Sequence, residues 1–106
     1  MEQDTRKRVG IMGGTFDPIH NAHIALAACA QAQLQLDEVW FMPAGDPYLK
    51  HSRKVSPAVD RAAMTALAIA GHPGFRLSRL EMERSGETYT SETLTILHER
   101  YPDVHF

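Results

Sequence analysis

From Gly13 to His23 the chain reads Gly13-Gly14-Thr15-Phe16-Asp17-Pro18-Ile19-His20-Asn21-Ala22-His23, which gathers two glycines, an aromatic ring, an acid and two imidazoles. Two glycines let the backbone come close to a phosphate, and a following helix presents N–H groups carrying a partial positive charge. A nucleotide phosphate suits that pairing. His20 and His23 are three residues apart across the helix start, so both imidazoles can face one anion without either acting as a base. Two other readings use the same residues. Gly-Gly followed by Asp-Pro is also an ordinary turn. A His-x-x-His pair is also found at zinc, but the one cysteine, Cys29, lies six residues beyond His23 on another helix face. The coincidence of all these types at one strand-to-helix junction favours the nucleotide.

The flanking residues supply that junction. Val9-Gly10-Ile11-Met12 is a short apolar run that predicts a strand buried on both faces. Asn21 is a good N-cap, and the Ala- and Leu-rich stretch from Ala22 to Leu36 predicts a helix. After a tight connection at Asp37, Glu38-Val39-Trp40-Phe41-Met42 predicts a second strand that stops at Pro43. Trp40 reads as a core strand aromatic rather than a base-stacking platform.

Ala44 to Val55 has no periodicity and predicts a loop containing the basic run Lys50-His51-Ser52-Arg53-Lys54. Ser56-Pro57 then reads as an N-cap with proline at the first helical position. Val59, Ala62, Ala63, Ala66, Leu67 and Ala70 form the expected apolar stripe, ended by Gly71 and Pro73. Phe75-Arg76-Leu77 predicts a third strand, and a polar connection runs from Ser78 to Tyr89. A third helix is expected from about Thr90, with Leu94, Leu97 and Tyr101 at helical spacing and Pro102 as its stop. Val104-His105-Phe106 reads as the opening of a fourth strand beside the first. Alternating strands and helices imply parallel pairing through right-handed crossovers, hence an α/β, Rossmann-like doubly wound sheet of order 3-2-1 with a fourth strand beginning at the end.

With 106 residues, 43% of them hydrophobic, the chain predicts one domain over residues 1–106 with a modest core. Eleven Lys+Arg against thirteen Asp+Glu give a formal charge of −2, which argues against a nucleic-acid partner and makes any anion site local. A single cysteine excludes an intrachain disulfide framework and predicts a reducing, cytoplasmic setting. The longest apolar run, Ile24 to Ala30, is far too short for a membrane span.

The segment Gly14-Thr15-Phe16-Asp17-Pro18-Ile19-His20-Asn21-Ala22-His23 resembles the nucleotidyltransferase signature G-T-F-D-P-x-H-x-G-H. Leu36 to Pro43, Asp60-Arg61, Glu81-Met82-Glu83-Arg84 and Thr88-Tyr89-Thr90 with Thr93 are similar to successive segments of bacterial nicotinate-nucleotide adenylyltransferases. The resemblance implies adenylyl transfer from ATP to nicotinate mononucleotide, giving deamido-NAD and pyrophosphate in NAD biosynthesis, with Mg2+ bound with ATP and no metal held by the protein alone. It implies catalytic roles for His20, His23 and Lys50. Gly13, Gly14, Thr15 and Phe16 would line the nucleotide site with the two histidines, and Thr88, Tyr89 and Thr90 would hold the nicotinate ring and its carboxylate. A ring can stack on tyrosine and a carboxylate can take helix-start N–H bonds, although Thr90 or Ser91 also reads as a plain helix cap. Lys50 stands in Pro47-Tyr48-Leu49-Lys50, where the family has P-P-H-K; His51, Arg53 and Lys54 read equally as a solvated loop. Arg61 matches the family and reads equally as a solvated helix residue.

Two departures stand out. Ala22 replaces the usual glycine between the signature histidines. The family also continues to roughly twice this length, with a Gly-x-Asp segment, a tryptophan and a Ser-Ser/Thr-x-x-Arg helix start that this sequence lacks. The chain is therefore expected to be a truncated, N-terminal part of the enzyme, binding nucleotide weakly and turning over little. An unpaired edge on the first strand predicts self-association. The rival functions are another nucleotidyltransferase, such as phosphopantetheine adenylyltransferase, and a non-catalytic nucleotide-binding fragment.

Overall fold

A computed structural model of the protein describes residues 6–45, 56–82 and 90–106. The elements run β1 (Lys7–Gly14), α1 (Asn21–Gln33), β2 (Glu38–Pro43), α2 (Ala58–Ile69), β3 (Phe75–Leu77), α3 (Thr90–Arg100) and β4 (Val104–His105). The four strands form one parallel sheet in the order β3-β2-β1-β4, as the alternation of strands and helices predicts.

Side chains alternate across the sheet, and each face has its own core. On one side Val39, Phe41, Phe16, Ile19, Ala27 and Ile69 pack together. On the other, Met42, Leu80 and Leu97 are buried, with Ile11, Trp40, Ile96 and Phe106 against them. β1 is less enclosed than a strand buried on both faces: Val9 is buried, while Gly10, Ile11 and Met12 are only half-buried. Among the described residues, β4 pairs with β1 only at Lys7 and Arg8, so Val9–Gly14 has no strand on that side.

Helix boundaries differ from expectation where a side chain decides them. α1 starts one residue earlier, with His20 rather than Asn21 as its N-cap, and ends three residues earlier. There Gln35 adopts a left-handed φ of 54° and the Leu36 N–H returns to the Gln31 carbonyl at 2.9 Å. No glycine or proline marks that stop. The following connection is pinned by Asp37, whose carboxylate accepts the Arg8 N–H at 2.7 Å.

At α2, Pro57 rather than Ser56 occupies the N-cap position and no side chain caps the helix, while the Ser56 N–H donates to Asp17 at 2.8 Å. The buried side of α2 is Ala58, Arg61, Ala62, Thr65 and Ile69. The expected stripe is displaced by about one residue, and Val59 and Leu67 are 69% and 79% exposed. The helix ends before Gly71, whose φ of +84° suits glycine. Leu97 is buried on α3, whereas Leu94 and Tyr101 stay partly exposed, at 36% and 42%. No helix of the described residues is long and apolar enough to cross a membrane.

Candidate functional site

The glycine turn leaves β1 at the carboxyl edge of the sheet and reaches α1 within a few residues, which brings Gly13, Gly14, Thr15, Phe16, His20 and His23 to one corner. Gly13 is exposed, and a Cβ there would meet nothing closer than the Met42 carbonyl oxygen at 4.0 Å. Gly14 differs: a Cβ would lie 3.2 Å from the Phe16 ring. Phe16 is only 3% exposed and adopts φ 52°, a left-handed conformation uncommon for a bulky residue. Its backbone strain is held by burial of the ring against Phe41 and edge-on against His23, with centroids 5.1 Å apart in the second contact.

His20 and His23 cap α1 reciprocally. The Ala22 N–H donates to His20 Nδ1 at 3.3 Å, and the His20 N–H donates to His23 Nδ1 at 3.1 Å. The rings lie 4.2 Å apart at 42°. An accepting Nδ1 places the proton of a neutral imidazole on Nε2, so each ring retains one donor pointing away from its own cap. The helix start is correspondingly less free than expected, since the Ala22 N–H is already taken. An anion here would be gripped by imidazole Nε2–H groups with the remaining main-chain donors.

Arg61 is a site-building residue that sequence reasoning left undecided. It is 0% exposed. Its Nε donates to the Ser56 carbonyl at 2.8 Å, Nη1 to Thr15 at 2.9 Å and Ala44 at 2.8 Å, and Nη2 to Gly45 at 3.3 Å. One guanidinium therefore ties the turn after β1 to the end of β2 and the start of α2. The available signal was spacing: Arg61 falls at helical intervals with Ala58, Thr65 and Ile69. Nearby, Asp17 accepts the Ser56 N–H at 2.8 Å; that bond, with Arg61 adding a weaker pull, holds its carboxyl below the usual aspartate range.

On the α3 face a cavity of about 340 Å³ begins at Gly13 and Met42 and is walled by Thr93, Leu94 and Phe106. Thr93 Oγ1 donates to Glu81 at 3.0 Å beside it. Trp40 lies on this face too, half-buried, with Nε1 donating to Glu38 at 2.7 Å. Lys50, Thr88 and Tyr89 lie outside the described residues, and Thr90 opens α3. Among the described residues no group of three or more His, Cys, Asp or Glu side chains is placed to hold a metal, so His20 and His23 have no such cluster to join.

Residues 11–106 match the model of the cytidylyltransferase-like family. A protein of Saccharopolyspora erythraea named probable nicotinate-nucleotide adenylyltransferase is 49% identical over 99 residues, covering 93% of this chain and 47% of that protein. Proteins of the same name from Corynebacterium kroppenstedtii (52% identical, 90% and 45% covered) and Frankia casuarinae (53% identical, 87% and 48% covered) match similarly. The chain spans about half the length of the curated relatives it matches. A Plasmodium falciparum nicotinic acid mononucleotide adenylyltransferase solved in complex with NaAD shares the fold. Its TM-score is 0.74 at 23% identity, covering 92% of this chain and 48% of that one.

Proposed function

The chain belongs to the cytidylyltransferase-like family, and we propose that its reaction is adenylyl transfer from ATP to nicotinate mononucleotide, a step of NAD biosynthesis. The names of relatives about half identical to it support that acceptor. An oxygen of the mononucleotide's phosphate attacks the α-phosphorus of ATP and the bond from that phosphorus to the β-phosphate oxygen breaks. Deamido-NAD forms and pyrophosphate leaves with the bonding electrons. The protein has to align two anions and place donors where charge grows on the leaving group.

Two imidazoles whose Nδ1 atoms are already engaged by backbone N–H groups carry this proposal. Their Nε2–H donors are preorganised, so little rearrangement is needed as charge develops. His23, further fixed by the Phe16 ring, is the main phosphate contact and transition-state stabiliser, with His20 beside it on the ATP phosphates. Gly13, Gly14, Thr15 and Phe16 line the nucleotide through the backbone, and Lys50 adds a positive charge. Nicotinate is held by Thr88, Tyr89 and Thr90; the cavity between Gly13 and α3 offers it an apolar wall. Mg2+ would enter with ATP and would supply charge neutralisation for the triphosphate. The exposed, free Cys29 supports a cytoplasmic setting.

Pyrophosphate release from ATP is the test, with nicotinate mononucleotide, nicotinamide mononucleotide and phosphopantetheine as alternative acceptors. Release that requires nicotinate mononucleotide and disappears in His23→Ala is expected. Preference for phosphopantetheine would reassign the acceptor. ATP binding without turnover, indifferent to His23→Ala, would make the chain a nucleotide-binding module.

A further inference from the structure

The α3 face carries a second concentration of positive charge that the histidine corner does not use. Arg76 on β3, Arg79 just beyond it and Arg100 at the end of α3 line one cavity of about 320 Å³, together with Trp40 and Tyr101 over a floor that includes Leu97. Among the described residues no carboxylate lines it. Glu38, which touches two of the lining residues, is already occupied: it accepts Arg76 Nε at 3.0 Å, Trp40 Nε1 at 2.7 Å and Lys7 Nζ at 2.6 Å. Glu38 thus orients Trp40 and Arg76. Among the described residues neither Arg79 nor Arg100 has an ion-pair partner. A cation in a helix's last turn is an ordinary stabilising placement, which accounts for Arg100, and Glu38 accounts for Arg76, but neither accounts for Arg79 beside them.

We propose that this cavity is a second anion site, taking a small polyphosphate, either inorganic or carried on a nucleotide. Arg76 is balanced by Glu38, but Arg79 and Arg100 bring like charge beside it without a counter-charge of their own, and an anion relieves the resulting repulsion. Guanidinium groups bind phosphate oxygens through paired N–H donors, and three of them suit an anion with several phosphate oxygens. The volume fits a small ligand and excludes a folded partner. Trp40 and Tyr101, with ring centroids 5.3 Å apart, give the wall an aromatic surface. The site is separate from the proposed catalytic corner: Trp40 and Arg76 pair in register on the α3 face, whereas His23 leans on Phe16 in the opposite core.

Trp40 is the chain's one tryptophan and therefore a local reporter. Its emission would be titrated with inorganic pyrophosphate and with ADP, against sodium chloride at matched ionic strength, in the 106-residue chain. A saturable change is expected in the parent and in His23→Ala, with Kd raised at least tenfold in Arg79→Ala/Arg100→Ala. Both arginines are exposed, and far-UV circular dichroism checks that the double variant keeps its fold. Tighter binding of ADP than of pyrophosphate identifies a nucleotide as the ligand; equal binding identifies the free anion. A change no larger than that produced by salt, or one that survives the double arginine substitution, overturns the site.

Discussion

His23 Nδ1 accepts the backbone N–H of His20 at 3.1 Å, so the residue that fixes the start of α1 and the residue proposed to meet phosphate are the same. Capping and ligand binding use different ring nitrogens. They are therefore separable by substitution. His23→Gln keeps an acceptor at the third helical position, as in a capping box, and should cost less than about 0.5 kcal/mol of stability. His23→Ala removes the acceptor and should cost about 1 kcal/mol. Both should lower turnover about 100-fold or more, with a smaller effect on ATP binding. Thermal unfolding and pyrophosphate release measure the two effects, and parallel losses in both variants would contradict the separation.

Gly13→Ala and Gly14→Ala should part company. At Gly13 the new methyl meets no protein atom closer than 4.0 Å, so Tm should be unchanged while ATP Kd rises about tenfold, because the methyl takes space the phosphate needs. At Gly14 it would stand 3.2 Å from Phe16 and displace a ring that braces His23, so stability and turnover should both fall. Calorimetry of ATP binding beside thermal melts distinguishes them.

Arg61→Met should lower stability by about 3 kcal/mol or more, since carbonyls of Thr15, Ala44, Gly45 and Ser56 lose a charged donor inside the protein. Arg61→Lys should rescue little, because one ammonium cannot span three segments. Denaturant titration measures the loss. A change under about 1 kcal/mol would show that the guanidinium is dispensable to the fold.

Stability should fall in mild acid through Glu38. Burial pushes its carboxyl up, but hydrogen bonds from Lys7, Trp40 and Arg76 outweigh that and hold it below the ordinary 4.5. A carboxyl with a lower pKa folded than unfolded binds protons more readily when unfolded. Its stabilisation is therefore complete well above 4.5 and is lost as pH falls through the folded value. Glu38→Gln should be less stable at neutral pH and show a shallower decline toward acid. An unchanged slope in pH-dependent denaturation would remove Glu38 from the account.

The β1 edge from Val9 to Gly14, open among the described residues, should support self-association through backbone hydrogen bonds. Sedimentation velocity over a concentration series should show a rising weight-average mass. A monomer throughout would mean the edge is protected.

The order of strands and helices was legible in the sequence because it is written in local signals: apolar runs for strands, Ala-rich stretches for helices, and Gly71 and Pro73 as a stop. Parallel pairing then followed from crossover geometry, and the structure has the expected order with β4 beside β1. The glycine-histidine junction was legible for the same reason, since all its parts lie within one short stretch. What each part does was less so. Asn21 looked like the cap because its type favours caps, yet the chain turned so that two histidine rings reached the backbone first.

Arg61 marks the boundary between the two kinds of information. Its charge suggests water, and Val59 and Leu67 beside it suggest a core face, but α2 turns Arg61 inward and leaves those two exposed. The reason is long-range: carbonyls of Thr15, Ala44 and Gly45 converge only after the sheet has formed, and together they repay the desolvation of one guanidinium. The gathering of Arg76, Arg79 and Arg100 about Trp40 has the same origin. Residue types and their periods determine which elements form, whereas the partner a side chain meets depends on distant segments that only the packed sheet brings within reach.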